Sequence, residues 1–289
     1  MFCIETPSLT LTLEIVRVDG LLMHEEILPQ TARKLLFEFK NLANLQNPII
    51  VDQNNIVLDG NHRVYAFRRL NFRHIPVCRI DYFNQSAKLR FWYRMLKNVE
   101  RFDTFTHIIQ ERNGRIQPVE SAVALTGIMR EECLACGLQC GDRYYCVRFP
   151  CTVVKDAVCA YDVLREIEKT AAARHMDLTY IPCKYVDQQA FCSALTETDI
   201  VIWTPRISKA MVVEAACRKK VFAPKTTRHL IPARPLNVDV PGLWLKDSVA
   251  TDDLNRTFKR YLQEKRIRRF PPGQVVYGRY YEEELFVFY

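Results

Sequence analysis

The stretch IVLDGNHRVYAFRRL, residues 56–70, constrains the fold most, because a run typical of a strand passes directly into an amphipathic helix. Five polar or flexible residues, 59–63, stand at the junction. A helix that begins straight after a strand presents unpaired backbone N–H groups and the positive end of its dipole, and both favour an anion. The sequence therefore predicts an α/β fold with a phosphate-binding turn at this junction.

The side chains of the turn suggest chemistry as well as binding. Gly60 lets the main chain approach a ligand closely, and His62 and Arg63 add donors suited to phosphate oxygens. Asp59 would repel a phosphate unless it holds Mg²⁺ or accepts a proton. The alternative is that Asp59 only caps the helix while His62 and Arg63 face solvent.

A second acidic cluster lies upstream, in LLMHEEILP, where His24 precedes Glu25 and Glu26. Two carboxylates from separate elements can converge on one pocket, where one acts as a base and the other holds a metal ion. We therefore expect this cluster and Asp59 to share a site.

A third polar segment lies far downstream, in APKTTRHLIPARPLN. Its donors, Thr227, Arg228 and His229, stand between prolines, and a rigid segment rich in donors suits a carboxylate ligand. The alternative is a solvated basic loop.

Length and pattern indicate two lobes of alternating strands and helices. The chain has 289 residues, of which 48% are hydrophobic, so it can bury a substantial core. Hydrophobic periodicity predicts helices at residues 85–99, 119–131 and 155–175. The boundary between the two lobes is expected near residues 105–115, without a sharp marker in the sequence. The net charge of +8 is dispersed, which fits a phosphorylated small ligand at least as well as nucleic acid.

The eleven cysteines favour a reducing compartment, because they are scattered, odd in number and not preceded by a signal peptide. Cys133, Cys136, Cys140 and Cys146 are spaced too irregularly for a typical zinc site, and free thiols in a surface loop are the favoured interpretation. The longest apolar stretches fall far short of the roughly 20 residues of a membrane span. We expect a cytoplasmic protein without a membrane partner.

The segments HEE and NPIIVDQNNIVLDGNHRVYAFRRLNFRHIPV resemble the ParB/sulfiredoxin superfamily. KTTRH followed by RPLNVDVP is similar to its free L-serine kinase branch, which includes archaeal enzymes and enzymes of siderophore clusters. The resemblance implies an α/β (α+β) fold, in which residues 1–108 form a ParB/sulfiredoxin-like nucleotide-binding and catalytic domain. Residues 109–289 would form a second α/β lobe that contributes the serine-binding segment and completes a cleft.

The resemblance also implies a reaction and its residues. The family phosphorylates free L-serine to O-phospho-L-serine with ATP or ADP and Mg²⁺, as amino-acid or siderophore biosynthesis requires. By this resemblance Glu25 is the general base and Asp59 the essential acid, with Asp59 also the candidate Mg²⁺ ligand. The nucleotide phosphates would be bound by Gly60, Asn61, His62 and Arg63, and serine by Trp92, Thr227, Arg228 and His229. A tryptophan on an apolar helix face is, however, more often a core residue.

Three alternatives stay open within this resemblance. A sulfiredoxin would need a cysteine in the turn, where this chain has Asp59, Gly60 and Asn61. A ParB-type DNA clamp would need a helix-turn-helix, and only residues 119–132 could begin one; their acidic end, MREE, argues against nucleic acid. A nucleotide-binding regulatory protein without kinase activity would bind nucleotide in the same pocket, but Glu25 would then have no catalytic role.

Overall fold

A computed structural model describes residues 1–183, 195–196, 198–276 and 278–289. The chain forms two compact units. The first unit comprises Met1–Lys88, Ala216–Lys219 and His229–Tyr289, and the second comprises Leu89–Ala215 and Lys220–Arg228. By packing, the chain therefore leaves the first unit after Lys88, before residue 108, and returns to it at Ala216–Lys219 and from His229 onward. The functional division at residue 108 stays a prediction.

The described residues form eight α-helices and twenty strands, which confirms the predicted α/β class. The helices are α1 Pro29–Phe39, α2 Asn61–Arg69, α3 Phe102–Gln110, α4 Ala122–Glu131, α5 Ala157–Ala173, α6 Lys209–Cys217, α7 Gly242–Lys246 and α8 Thr251–Gln263. The strands of the N-terminal part are β1 Phe2–Glu5, β2 Thr10–Arg17, β3 Asn44–Leu45, β4 Ile49–Val51, β5 Val57–Asp59, β6 His74–Arg79, β7 Lys88–Arg90 and β8 Trp92–Lys97. The remaining strands are β9 Arg115–Val119, β10 Cys136–Cys140, β11 Arg143–Arg148, β12 Asp177–Pro182, β13 Ile200–Trp203, β14 Arg228–Leu230, β15 Ala233–Leu236, β16 Val240–Pro241, β17 Ile267–Phe270, β18 Gln274–Val276, β19 Arg279–Tyr281 and β20 Glu284–Phe288.

The first unit contains a five-stranded sheet in the order β1-β2-β6-β4-β5. β6 pairs antiparallel with β2 and parallel with β4, and its apolar side chains are buried. Helices α1 and α2 pack through Phe39 and Phe67, whose ring centroids lie 5.5 Å apart, and Phe67 stacks on Phe72 at 4.3 Å. This packing fixes α2, and with it the turn at residues 59–63.

The C-terminal residues of the first unit add a three-stranded sheet, β15-β20-β17, and a hairpin of β18 and β19. Helix α8 is tied to β2 by Asn255, whose Oδ1 accepts from Ile15 N and whose Nδ2 donates to Ile15 O, both at 2.8 Å. The buried side chains of α8 are Leu254, Phe258 and Leu262, which recur at helical spacing.

The second unit is built on a six-stranded sheet, β12-β8-β13-β10-β11-β9. Its core includes Tyr93, Leu125, Trp203 and Cys146, with the rings of Tyr93 and Trp203 5.3 Å apart. Helix α4 ends at Glu131, and the next regular element is strand β10. The helix predicted at residues 119–131 is confirmed from Ala122 onward, whereas Val119 ends strand β9, and a strand follows the helix where a recognition helix would stand.

Two sequence predictions of local structure were wrong. Residues 85–99, predicted to be a helix, form β7 and β8, and Asn84 accepts from Ser86 N in a turn instead of capping a helix. The loop predicted around the cysteines is the β10–β11 pair, where Cys136, Cys140 and Cys146 are buried. Burial raises the pKa of the Cys136 thiol to about 12, so it stays protonated. Within the described ranges no group of three metal-binding side chains is found.

None of the helices in the described part of the chain combines the length and the apolar character needed to cross a membrane.

Candidate active site

The turn between β5 and α2 depends on a glycine. Gly60 has φ +112°, a left-handed conformation that L side chains rarely adopt, and a Cβ there would lie 2.4 Å from Ile49 Cγ2. Gly60 O accepts the first helical bond, from Val64 N at 3.0 Å. Because the capping residue has no side chain, it offers no acceptor to the N–H groups of the first turn of α2. The predicted strand-turn-helix is confirmed, with the helix N-terminus at Asn61.

Arg63 braces this turn from within the protein. Its Nη1 donates to Asn47 O at 2.7 Å and to Pro48 O at 3.1 Å, and its Nη2 lies 3.5 Å from Asp59 Oδ2. The side chain is 19% exposed. Burial lowers the pKa of Arg63, and the nearby Asp59 carboxylate opposes that shift. The guanidinium of Arg63 thus donates mainly to acceptors within the protein. That it also binds phosphate stays a prediction.

Asp59 is held by a residue that the sequence did not reveal. Arg234 donates through Nη1 to Asp59 Oδ2 at 2.5 Å and through Nε to Glu283 Oε1 at 2.7 Å. Burial raises the pKa of Asp59, but the charges of Arg234 and Arg63 outweigh it and lower the pKa below its usual range. Asp59 is therefore ionised at neutral pH. Its side chain remains 38% exposed, against 11% for Arg234.

His62 and Asn61 occupy different surroundings in the first turn of α2. His62 Nε2 accepts from Leu28 N at 3.0 Å, which ties the start of α2 to the residue that precedes α1. Asn61 Oδ1 is buried and has no hydrogen-bond partner among the described residues. His62 thus positions the segment that follows Glu25 and Glu26.

The backbone brings the two acidic segments side by side. Leu22 and Ile56 form a parallel bridge, in which Val57 N donates to Leu22 O at 2.9 Å. Glu25 lies three residues beyond Leu22, and Asp59 lies three residues beyond Ile56. Because parallel chains advance together, both carboxylate-bearing residues follow the bridge at the same end. The roles given to Glu25 and Asp59 stay predictions.

His24 and His229 pack against each other beside Glu25. Their ring centroids are 5.2 Å apart in an edge-on arrangement, and His229 Nε2 lies 2.8 Å from the hydroxyl of Tyr82. His24 is fully buried, and burial lowers its pKa more than the neighbouring Glu25 raises it. The structure therefore joins the predicted substrate residue His229 to the segment of Glu25, and adds Tyr82, which the sequence did not point to.

In the second unit, Trp92 and the segment before β14 are linked directly. Trp92 Nε1 donates to Thr227 O at 3.1 Å, and Lys225 Nζ lies 4.6 Å from the centroid of the indole ring. Trp92 is half-buried and stands on strand β8, not on a helix. Arg228 is the first residue of β14 and is half-buried. Of the predicted serine-binding residues, the structure thus pairs Trp92 with Thr227.

Arg94 supports this segment from the core of the second unit. It is fully buried, and its Nε donates to Glu168 Oε1 at 2.7 Å. Its Nη1 donates to Lys225 O and to Trp92 O, both at 2.9 Å. Sequence reasoning missed Arg94 because an arginine within an apolar run resembles a solvent-facing residue of an amphipathic helix.

Comparison with known proteins shows that the chain is similar to L-serine kinases. No family model matches the chain. The chain is 24% identical over 236 residues to an ATP-dependent L-serine kinase of Staphylothermus marinus, an alignment that covers 78% of this chain and 88% of the relative. It is 20% identical over 241 residues to the ADP-dependent L-serine kinase SerK of Thermococcus kodakarensis, covering 82% of this chain and 94% of the relative.

A solved structure supports the fold independently. A free serine kinase in complex with AMP superposes with a TM-score of 0.63 at 20% identity, covering 81% of this chain and 93% of the other. At 20% sequence identity, this structural similarity shows a shared fold and no more. The sequence relatives confirm the resemblance to L-serine kinases, to which the chain is similar over most of its length.

Proposed function

We propose that this protein is an adenine-nucleotide-dependent kinase that phosphorylates free L-serine to O-phospho-L-serine. The observation that carries the proposal is the turn at residues 59–63, where a left-handed glycine opens a helix beside an ionised aspartate. Its similarity to ATP- and ADP-dependent L-serine kinases supports the choice of substrate and donor. The product would be consumed in amino-acid or siderophore biosynthesis.

The phosphates of ATP or ADP would bind at the N-terminus of α2. Gly60 supplies no side chain that would compete for the first-turn N–H groups, and the helix dipole adds positive potential. Asn61, His62 and Arg63 would line this phosphate site. Phosphoryl transfer depends mainly on positioning and on neutralising charge, and the arginines around Asp59 provide both.

Glu25 would act as the general base toward the serine hydroxyl. It follows the Leu22–Ile56 bridge at the same end as Asp59, so the base would stand close to the phosphate turn. The backbone here is tied down by His62 on one side and by β5 on the other. A base held in this way can accept the proton as the hydroxyl attacks the terminal phosphate.

A Mg²⁺ ion would be bound mainly through the nucleotide, because Asp59 Oδ2 is already paired with Arg234. Mg²⁺ is commonly held by one or two carboxylates together with substrate phosphates and water. Asp59 supplies one partly exposed carboxylate, and the described residues offer no cluster of three metal-binding side chains. Asp59 would be the protein ligand, and the ion would neutralise charge on the phosphates.

Serine would be bound through its carboxylate by Thr227, Arg228 and His229, with Trp92 against its side chain. The indole N–H already fixes the backbone of Thr227, and the ring of His229 is fixed by Tyr82 and His24. Preorganised donors of this kind favour a carboxylate over a neutral group.

One assay tests the proposal. Purified protein is incubated with L-serine, Mg²⁺ and either ATP or ADP, and O-phospho-L-serine is detected by mass spectrometry. We expect product with at least one nucleotide and none with ethanolamine, which lacks the carboxylate. Nucleotide binding without any product would contradict the kinase and favour a regulatory protein that retains the pocket.

A further inference from the structure

The C-terminal hairpin brings a third arginine to the phosphate turn. Arg234 from β15 and Arg63 from α2 lie within 3.5 Å of Asp59, Glu283 is the second carboxylate of the group, and the charge of Arg279 from β19 also lowers the pKa of Asp59. Three guanidinium groups against two carboxylates give this cluster a net positive charge. An excess of positive charge beside a helix N-terminus favours an anionic ligand.

Two of the three arginines are committed to the protein. Arg234 bridges Asp59 and Glu283, and Arg63 donates to two backbone carbonyls as well as facing Asp59. Their side chains are 11% and 19% exposed. Neither guanidinium is presented fully to a ligand in this arrangement.

Arg279 differs from both. It is exposed, and among the residues that the structure describes it has no salt-bridge partner. Its guanidinium carbon lies 4.9 Å from the ring centroid of Tyr281, and Tyr281 is buried against Leu236, Leu285 and Val287. The aromatic ring therefore limits the positions that this side chain can take, although the residue is exposed.

The position of Arg279 relative to the turn is set by the residues that follow it. Glu283, four residues on, is joined to Arg234 and through it to Asp59. Burial and the two nearer arginines dominate the pKa of Asp59, and the charge of Arg279 lowers it further. Burial likewise dominates the pKa of Arg63, and Arg279 adds to its lowering. Geometry agrees, because the ring of Tyr281, which carries the Arg279 guanidinium, packs in one cluster with Leu236, two residues beyond Arg234.

We propose that Arg279 is a nucleotide-binding residue, which contacts the phosphate groups of the adenine nucleotide at the turn of residues 59–63. This inference rests on the proposed function and extends the nucleotide site to the C-terminal hairpin. In this inference Arg279 supplies the positive charge that binds phosphate, because Arg63 and Arg234 bond to protein acceptors and position Asp59. Contact with phosphate predicts that its contribution grows with the number of phosphate groups.

The chain provides a matched control. Arg268 on β17 lies 4.9 Å from the ring of Phe270, two residues away, just as Arg279 lies 4.9 Å from the ring of Tyr281. Both arginines are exposed on C-terminal strands of the first unit. Arg268 is not among the charged groups that most affect the pKa of Asp59 or of Arg63.

The test is calorimetric titration of wild type, Arg279→Ala and Arg268→Ala with adenosine, AMP, ADP and ATP in the presence of Mg²⁺. We expect Arg279→Ala to weaken ADP and ATP about tenfold and to leave adenosine unchanged. Arg268→Ala should match wild type throughout, and Arg279→Lys should recover part of the loss. Because Arg279 is exposed, its variants should unfold at the wild-type temperature.

Two outcomes would overturn this inference while the kinase proposal stands. One is unchanged ADP and ATP affinity in Arg279→Ala, and the other is an equal loss for adenosine, which would indicate a structural effect. If the wild type binds none of these nucleotides, the proposed function and this inference both fail.

Discussion

Arg94 and Arg234 are both arginines paired with carboxylates inside their units, and their surroundings differ. Arg94 is fully buried and bonds to Glu168 and to backbone carbonyls, with the rings of Tyr161 and Tyr180 at 5.6 and 5.1 Å. Arg234 has two carboxylate acceptors, of which one, Asp59, is partly exposed at the start of a helix.

The difference in burial distinguishes an ion pair that stabilises the core, Arg94 with Glu168, from an ion pair in the candidate active site, Arg234 with Asp59. The carboxylate partner of Arg94, Glu168, is itself buried, so removing the arginine leaves a buried charge without its partner. The pair of Arg234 and Asp59 keeps a carboxylate ionised where a ligand can reach it. We therefore expect changes near Asp59 to affect activity first, and changes at Arg94 to affect stability first.

The largest effect is expected at Glu25. Glu25→Gln replaces a carboxylate that can accept a proton by an amide that cannot, so kcat should fall about 10²- to 10⁴-fold while nucleotide affinity and stability stay near wild type. Steady-state kinetics, calorimetry and thermal unfolding measure the three quantities. Glu26→Gln is the control and should retain most activity; the reverse pattern would move the base to Glu26.

The second prediction concerns Arg94. Arg94→Met leaves Glu168 buried without its partner, and the free energy of unfolding should fall by about 3–5 kcal/mol. Denaturant unfolding measures the loss, and the double variant Arg94→Met/Glu168→Leu should recover part of it. The exposed pair of Arg148 and Glu132, at 2.6 Å, is the comparison, because Arg148→Met should cost less than about 1 kcal/mol. A small effect at Arg94 would remove the distinction drawn between the two arginines.

Arg63 should combine both kinds of effect. Arg63→Ala removes bonds to Asn47 O and Pro48 O and one of the charges near Asp59. We expect nucleotide binding to weaken by about 1.5–3 kcal/mol, the worth of a hydrogen bond to a charged group, together with a measurable loss of stability. Calorimetry and denaturant unfolding separate the two. Unchanged nucleotide affinity would show that Arg63 only supports the turn.

The smallest effect is expected at Arg228. If this residue binds the carboxylate of serine, Arg228→Ala should raise the KM for serine about tenfold and leave nucleotide affinity unchanged. The competing interpretation, a basic segment that attracts nucleic acid, predicts a salt-dependent loss of nucleic-acid binding with unaltered serine kinetics. Measuring serine KM and nucleic-acid affinity on this one variant discriminates between the two.

Local patterns predicted the parts of the fold that depend on neighbours in sequence. The turn at Gly60 and helices α4, α5 and α8 follow from caps, periodicity and a residue that tolerates positive φ. Strand β8 was missed because its consecutive residues Tyr93 and Arg94 are both buried, so its side chains do not alternate between apolar and polar. Sequence patterns also give no sign of Arg234, which is 175 residues from Asp59 and meets it only in the folded chain.

The bond between Asn255 and Ile15 bears on how the protein avoids associating with itself. Strand β1 pairs with β2 only as far as Leu13, so the backbone of Ile15 faces outward beyond the end of its neighbour. Exposed strand edges can recruit strands of other molecules. The amide of Asn255 offers both a donor and an acceptor and satisfies the N–H and the carbonyl of Ile15 as another strand would. One side chain thereby closes an edge at which aggregation could otherwise begin.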